Sequence, residues 1–433
     1  MSRRGAAILD ALPASQRPLV LRILRHADAR DLPVYLVGGP VRDHLLRRML
    51  RDVDLMVERR GGWGAPQLAR AARGRDVRVV AHERFGTARL ESPNGIVDLT
   101  SARSERYAHA GSLPTVAPGS LEDDLHRRDF SVNALAVPLS RSARRDHPEV
   151  IDPEGGLADL AARRLRILHP MSFHDDPTRA LRAARLGPRL GFRLSAGSRR
   201  ALAEALSARS VERVSGERLR RELEKIFHDV DLGLDPIRAL ELAQTWGLLR
   251  AIHIGLRLGD GARRDLRRLR ASLRAPPWPM GSLRAWVPGF ALWLADVRAE
   301  PRRRTLERLA LQGALRERIE DFPGWRARAG RRLTHASRRS AVERQLSGVP
   351  NEWLLALHAR MPAAGRRRIE RYASEDRDRA MPLSGDDLVR LGLAGRSVWQ
   401  ALARLRAAQL DGELRSRDQA LALARTLAAR QRP

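Results

Sequence analysis

The stretch Leu36-Val37-Gly38-Gly39-Pro40-Val41-Arg42-Asp43, followed by Arg51-Asp52-Val53-Asp54-Leu55-Met56-Val57-Glu58, decides the reading of this chain. The apolar run from Val34 to Val37 predicts a buried strand that stops at two glycines. Without Cβ atoms, Gly38 and Gly39 let the backbone turn sharply and let an anion approach main-chain N–H groups. Pro40 suits a first helical position, and Val41, Leu45, Leu46 and Met49 recur at helical spacing. A phosphate fits that helix start, where unpaired N–H groups and the helix dipole favour negative charge. The second run predicts another strand, whose period-two alternation sets Asp52 and Asp54 on one face. Two such carboxylates suit a pair of Mg²⁺ ions, which prefer hard oxygen ligands and promote phosphoryl transfer when about 3.5–4 Å apart.

Strand, Gly-Gly, short helix and D-x-D strand, in that order, resemble the nucleotidyltransferase superfamily of DNA polymerase β. The fuller string G-G-x-V-R-D followed by D-x-D resembles its class II tRNA nucleotidyltransferase and bacterial poly(A) polymerase branch. The resemblance implies an α+β head of polymerase-β type with a small mixed sheet, followed by an all-α neck, body and tail.

Composition agrees with a polyanionic partner. The 433 residues are enough for two to four domains, and 30% charged with only 4% aromatic residues points to a mostly helical chain. The formal net charge is +30, and Lys225 is the sole lysine, so arginine carries the excess. A surplus of this size favours nucleic acid through counterion release and long-range steering. With no cysteine, disulfides, thiolate metal sites and a cysteine nucleophile are excluded. Asp10 and Pro13 interrupt any signal-peptide core, and no run approaches a membrane span, so a soluble cytoplasmic protein is expected. No G-x-x-x-x-G-K-[ST] is present, which excludes a P-loop ATPase. His253-Ile254-Gly255-Leu256 lacks the Rossmann context that a class I synthetase signature needs. Trp286, Trp293 and Trp353 read as core.

In chain order, residues 1 to about 33 read as a helix with Leu19, Ile23 and Leu24 on one face. A helix is expected around Leu68 to Ala72, and strands at Val77–Val80, Thr87–Leu90 and, after a Pro93-Asn94-Gly95 turn, Gly95–Thr100. Asp98 is a third carboxylate beside the metal pair by the superfamily pattern, or a strand-end cap. Ser101 to Gly119 shows little periodicity and reads as a mobile loop. With Arg103, Tyr107 and Leu113-Pro114-x-Val116, it resembles the flexible loop that assists the change from CTP to ATP selection in CCA-adding enzymes.

Asp124-Leu125-His126-Arg127-Arg128-Asp129-Phe130, about 75 residues after the D-x-D, is a second family signature. By resemblance, Arg127, Arg128 and Asp129 contact the ribose and phosphates of a bound nucleotide, and guanidinium forks suit phosphate oxygens. Asn133 braces the turn. Asp152 and Asp159, in the hinge pattern D-x-x-x-G-x-x-D-L, are given structural roles. In Asp175-Asp176-Pro177-Thr178-Arg179, Asp176 is a good N-cap. Arg179, Arg182, Arg185 and Arg189 follow as one basic stripe. The family pattern [ED]-D-x-x-R implies that Asp176 and Arg179 read the Watson–Crick edge of the incoming base, so that the protein itself is the template. Pro188 is expected to kink or end that helix. Val214-Ser215-Gly216-Glu217-Arg218 opens a further neck helix. Beyond about residue 230 come Leu/Ala- and Arg-rich helices, broken at Ala275–Pro279 and at Met361–Gly365, and a tail with Leu383-Ser384-Gly385-Asp386-Asp387-Leu388.

The expected division is a catalytic head at 1–140, a neck with the base-reading helix at 141–230, a body at 231–365 and a tRNA-binding tail at 366–433. The expected activity is addition of the 3′-terminal CCA to tRNA from CTP and ATP. Asp52 and Asp54 would hold two Mg²⁺ ions, with Asp98 beside them. Gly38, Gly39, Arg42, Asp43, Arg127, Arg128, Asp129, Asp176, Arg179 and Arg182 would hold the nucleotide. Addition of A alone or of CC alone, poly(A) synthesis, and a non-catalytic RNA-binding protein on a decayed head are the alternatives. No membrane and no obligatory protein partner is expected.

Overall fold

The structure, a computed structural model, describes residues 8–139, 149–232, 234–273, 277–278 and 283–429. It divides into two compact units, Met1–Glu222 with Thr245–Ile252, and Leu223–Gln244 with His253–Pro433.

The first unit begins with a single helical turn at Ile8–Ala11 and helix α1 at Arg17–Asp28. The helix expected over 1–33 is thus interrupted before Pro18, and residues 1–7 lie outside the described residues. Strands β1 (Val34–Val37), β2 (Asp54–Val57), β3 (Arg78–His82), β4 (Thr87–Ser92), β5 (Gly95–Ser101) and β8 (Ala136–Pro138) form one sheet in the order β3-β4-β5-β2-β1-β8. Neighbours are antiparallel except β2 and β5, which run parallel, so the sheet is the small mixed one expected. Leu36, Leu55, Leu90 and Leu99 of the sheet are fully buried, whereas Ile96 on β5 is exposed. Helix α3 (Ala65–Ala71) packs on β3, β4 and β5 and also on α1. Burial of this apolar surface holds the sheet together.

Three local expectations need correction. First, β2 starts at Asp54, where pairing with Asp98 on β5 begins, so Asp52 lies in the segment leading into the strand. Second, the stretch read as a mobile loop contains a hairpin, β6 (Arg103–Arg106) against β7 (Thr115–Pro118), with Arg103 opposite Pro118 and Arg106 opposite Thr115. Its strand residues are charged or small, so no alternation of apolar side chains announces it. Third, Pro188 neither ends nor breaks its helix, which continues to Leu190 and stops at Gly191 with φ of 75°. Placed in the last turn, Pro188 removes a single backbone bond.

Helix α4 (Leu121–His126) precedes β8, and the boundary expected at residue 140 falls outside the described residues. Then follow α5 (Gly156–Ala161), α6 (Ser172–Asp175), α7 (Thr178–Leu190), α8 (Ala196–Ser207) and α9 (Gly216–His228). Asp152 caps α5, its two oxygens accepting from the N–H groups of Gly156 at 2.6 Å and Leu157 at 2.9 Å. Asp159 is buried and accepts from Ser131 Oγ at 2.6 Å, Arg164 Nε at 2.6 Å and Arg166 Nε at 2.7 Å. Both serve the structure, as expected.

The second unit is helical. Asp260–Ser272 packs on Trp286–Leu294 and on Asn351–Arg360, around a core containing Phe227, Phe290 and Trp293. Trp286 and Trp353 are buried as well. Met361 and Pro362 separate Asn351–Arg360 from Ala363–Arg371, as expected, whereas residues 275, 276 and 279 of the other expected break lie outside the described residues. The C-terminal helices Arg396–Leu410 and Arg417–Ala429 close a cluster of their own with Leu383, Leu388 and Leu393. No helix among the described residues is long and apolar enough to cross a membrane.

Asp159→Ala leaves a buried hydroxyl and two partly exposed guanidinium groups without their acceptor, so it is expected to lower stability by about 2 kcal/mol. Urea unfolding at neutral pH measures this; a loss under about 1 kcal/mol would contradict the bracing role.

Candidate active site

Parallel pairing of β2 with β5 makes Asp54 and Asp98 register partners on adjacent strands, and Asp52 stands two residues before Asp54. Burial pushes the Asp54 carboxyl up to about 6, and the nearby Asp98 and Asp52 charges push the same way, while Arg128 and Arg42 oppose them. A carboxylate crowded in this manner is one that a divalent cation would relieve. Among the described residues, no three His, Cys, Asp or Glu side chains are placed to hold a metal ion together. The set nevertheless fits Mg²⁺, which is commonly held by one or two carboxylates with water and substrate phosphates completing the shell. Asp98 is also claimed by Arg89 on the neighbouring β4, with Nε–Oδ1 at 2.7 Å and Nη2–Oδ2 at 2.9 Å.

At the end of β1, Gly38 adopts φ of 72° and donates its N–H to the Leu135 carbonyl at 2.9 Å. That N–H is therefore not available to an anion. A Cβ on Gly38 would collide with the Arg128 guanidinium, and one on Gly39 would meet Arg42 Nη2 at 3.6 Å. Gly38 thus admits the Arg128 guanidinium to the turn, whereas a Cβ on Gly39 would make only ordinary contact with Arg42. Arg42, on α2 (Gly39–Leu45), is buried, bonds Asp43 Oδ1 through Nε at 2.9 Å and reaches Asn133 Oδ1. Arg128 is held by Asp124 Oδ2 at 2.8 Å and by the Asn133 carbonyl at 3.3 Å.

Arg127 is fixed by Asp124 Oδ1 at 3.0 Å and by Glu105 Oε1 of β6 at 2.9 Å. Burial acts to raise the Asp124 carboxyl, but Arg128 and Arg127 outweigh it and hold the group below the usual range. Asp129 points inward: Oδ1 accepts from Phe130 N–H and Asn133 Nδ2, each at 2.9 Å, and Oδ2 from Arg182 Nε at 2.8 Å. Despite its burial, Arg182 and the Asn133 bond keep it ionised well below the ordinary carboxylate range.

The arginine stripe of α7 is paired along its length. Arg182 meets Asp129 and, at 3.7 Å, Glu222 of α9; Arg185 meets Glu222 at 3.7 Å; Arg189 meets Asp43 at 3.5 Å. Arg179 is buried and donates to Ser172 Oγ at 2.6 Å and to the Arg127 carbonyl at 2.8 Å. Asp176 caps α7, with Oδ1 accepting from Thr178 N–H at 3.0 Å and Thr178 Oγ1 at 2.6 Å, and it pairs with Arg218 of α9 at 2.8 Å. Tyr107, just past β6, donates to Glu105 at 2.9 Å; burial raises its pKa, and the charges of Arg179 and Asp176 also act on it. The site residues expected from the sequence thus form two linked groups, the Asp54 carboxylates beside Arg42 and Arg128, and Asp176 with Arg179 on α7. Glu105, Asp124, Glu222 and Arg218 were not among them. Asp124 stands in the signature itself and Glu222 and Arg218 on a helix whose apolar spacing shows, but pairing across 40 residues has no signal in one sequence.

A family model described as the poly A polymerase head domain matches residues 34–166. An A-adding tRNA nucleotidyltransferase of Geobacter sulfurreducens is 34% identical over 97% of this chain, which spans about half that relative's length, 49%. The A-adding tRNA nucleotidyltransferase of Halalkalibacterium halodurans is 31% identical over 90% of this chain and 88% of its own. A solved CCA-adding enzyme in an apo form superposes with a TM-score of 0.71 at 26% identity, covering 98% of this chain and 99% of that one.

Arg182→Ala leaves Asp129 buried without its guanidinium and is expected to lower stability at pH 7 by about 3 kcal/mol. The Asp129 pKa is depressed on folding, so this contribution is present above its unfolded value of about 4 and is lost as pH falls toward the folded value. The difference between wild type and Arg182→Ala in urea unfolding should therefore shrink in acid; a difference that grows there would contradict the pairing.

Proposed function

The chain belongs to the tRNA nucleotidyltransferase family, and we propose that it adds the terminal adenosine to tRNA ending in CC, with ATP as donor. The observation that carries this reading is the convergence on Asp54 of two other carboxylates and two guanidinium groups, Arg42 and Arg128. Adjacent negative and positive clusters suit a nucleoside triphosphate with its metal ions. The RNA 3′-hydroxyl oxygen attacks the α-phosphorus, the α–β P–O bond breaks, and pyrophosphate leaves.

Asp52 and Asp54 would hold Mg²⁺, which when bound lowers the pKa of the 3′-hydroxyl and offsets charge on the departing pyrophosphate. Arg128 and Arg42 take the triphosphate over the Gly38-Gly39 turn. Arg127 is positioned beside them by Asp124 and Glu105. Asp129 orders Asn133 and Arg182, and Asp43 orders Arg42 and Arg189; in this reading both shape the nucleotide site from within. Asp176 offers an acceptor and Arg179 a donor to the base edge. Asp98 sits beside Asp54 and would add a carboxylate to the metal site if Arg89 released it.

A-addition is placed ahead of the complete CCA addition expected from the sequence because two relatives that cover 90% or more of this chain carry the A-adding name. Complete CCA addition is the second reading, favoured by the retained hairpin of β6 and β7 and by the likeness to a CCA-adding enzyme. The proposed organisation remains a head at 1–140, neck at 141–230, body at 231–365 and tRNA-binding tail at 366–433, in a cytoplasmic protein.

Asp54→Ala is expected to abolish incorporation of labelled ATP into CC-ended tRNA while tRNA binding, measured by filter retention, stays near wild type. Residual turnover above about one per cent would contradict the role given to Asp54, since loss of metal chemistry removes several kcal/mol of transition-state stabilisation.

A further inference from the structure

Asp176 is held in an unusually one-sided way. Its Oδ1 accepts from Thr178 N–H at 3.0 Å, Thr178 Oγ1 at 2.6 Å and Arg218 Nη2 at 2.8 Å. These three bonds exhaust that oxygen's lone pairs. Among the described residues no hydrogen bond reaches Oδ2. The same Arg218 donates through Nη1 to the carbonyls of Gly111 at 2.8 Å and Ser112 at 3.4 Å, at the tip of the β6–β7 hairpin. That tip is further anchored by Gly111 N–H, which donates to the His174 carbonyl at 3.2 Å and the Asp175 carbonyl at 3.3 Å, immediately before Asp176. The planar fork of arginine spans both sets of acceptors, which a lysine ammonium does not do.

We infer that Arg218 is a positioning residue for base selection: with Thr178 it saturates Oδ1 of Asp176 and leaves Oδ2 as a fixed acceptor with one direction. This rests on the reading that Asp176 faces the incoming base. A fixed carboxylate oxygen accepts from the exocyclic amino group of adenine or cytosine and repels the carbonyl oxygen that guanine or uracil presents in its place. A carboxylate free to turn, or to take a bridging water, loses that opposition. Arg218 thereby serves discrimination between amino-bearing and keto-bearing bases rather than attachment of the nucleotide as such, and ties it to the seat of the hairpin tip.

The test is single-nucleotide incorporation into CC-ended tRNA with ATP, GTP and UTP, separated into kcat and KM, for wild type, Arg218→Ala, Arg218→Lys, Thr178→Val and Asp176→Ala. Arg218→Ala and Thr178→Val are each expected to lower the ratio of kcat/KM for ATP over GTP and UTP about tenfold, because a mismatched polar contact is rejected only by a group held in place. Arg218→Lys, which keeps a cation at Asp176, should recover part of the ratio. The KM for tRNA should not move. Thr178→Val changes one hydroxyl and supplies the answer if Arg218→Ala does not fold. An unchanged ratio in both Thr178→Val and Arg218→Ala, or equal losses for every nucleotide, would overturn the inference. If Asp176→Ala also retains the wild-type ratio, the base-reading role of Asp176 falls with it; if Asp176→Ala alone loses the ratio, only the role of Arg218 falls.

Discussion

The buried pairing of Asp129 with Arg182 is the contact on which the site depends. Asp129 comes from the Arg-Arg-Asp signature and Arg182 from α7, more than 50 positions later. Around it, Asn133 connects Asp129 to Arg42, Asp43 connects Arg42 to Arg189, and Glu222 gathers Arg182 and Arg185. A closed circuit of charges therefore fixes α7 against α2 and the signature loop. Breaking such a circuit at one member strands a buried charge, which costs far more than a surface pair would. Rigidity obtained this way holds Asp176 and Arg179, at the start of α7, in a set position relative to Asp54.

The same circuit changes the meaning of the basic composition. A net charge of +30 suggests arginines offered to RNA everywhere, yet the arginines nearest the site are mostly committed to carboxylates. Arg128 and Arg42 lie against the glycine turn, and the absence of a Cβ on Gly38 gives Arg128 room. Attraction of a long polyanion is a property of the whole charge surplus, felt at a distance and screened by salt. In the proposed reading, nucleotide placement is a property of a few guanidinium groups whose directions are fixed.

Much of this was legible in the residues. The apolar runs interrupted by Gly38-Gly39 and the Asp152 cap rest on local patterns, and the sheet follows the apolar runs closely, although only Asp54 of the D-x-D lies within a strand. Hidden from the sequence were features that depend on distant partners or on context. The Gly38 N–H is consumed by Leu135, whose carbonyl arrives from β8's approach nearly 100 positions away. The hairpin at 103–118 has no apolar alternation to mark it. Arg218 reads as one more arginine on an amphipathic helix until Asp176 and the Gly111 carbonyl are seen beside it. Arg182 reads as a nucleotide contact, but the carboxylate it meets is the protein's own.

The most direct test of the central claim is incorporation of labelled ATP and CTP, separately and together, into tRNA transcripts ending before CCA, after C and after CC, with the products sized on a gel. Addition of a single A to the CC-ended transcript, with the shorter transcripts left unextended, is the expected result. Failure to extend any transcript with either nucleotide would contradict the account, since the carboxylates and guanidinium groups around Asp54 would then serve no transfer to an RNA 3′ end.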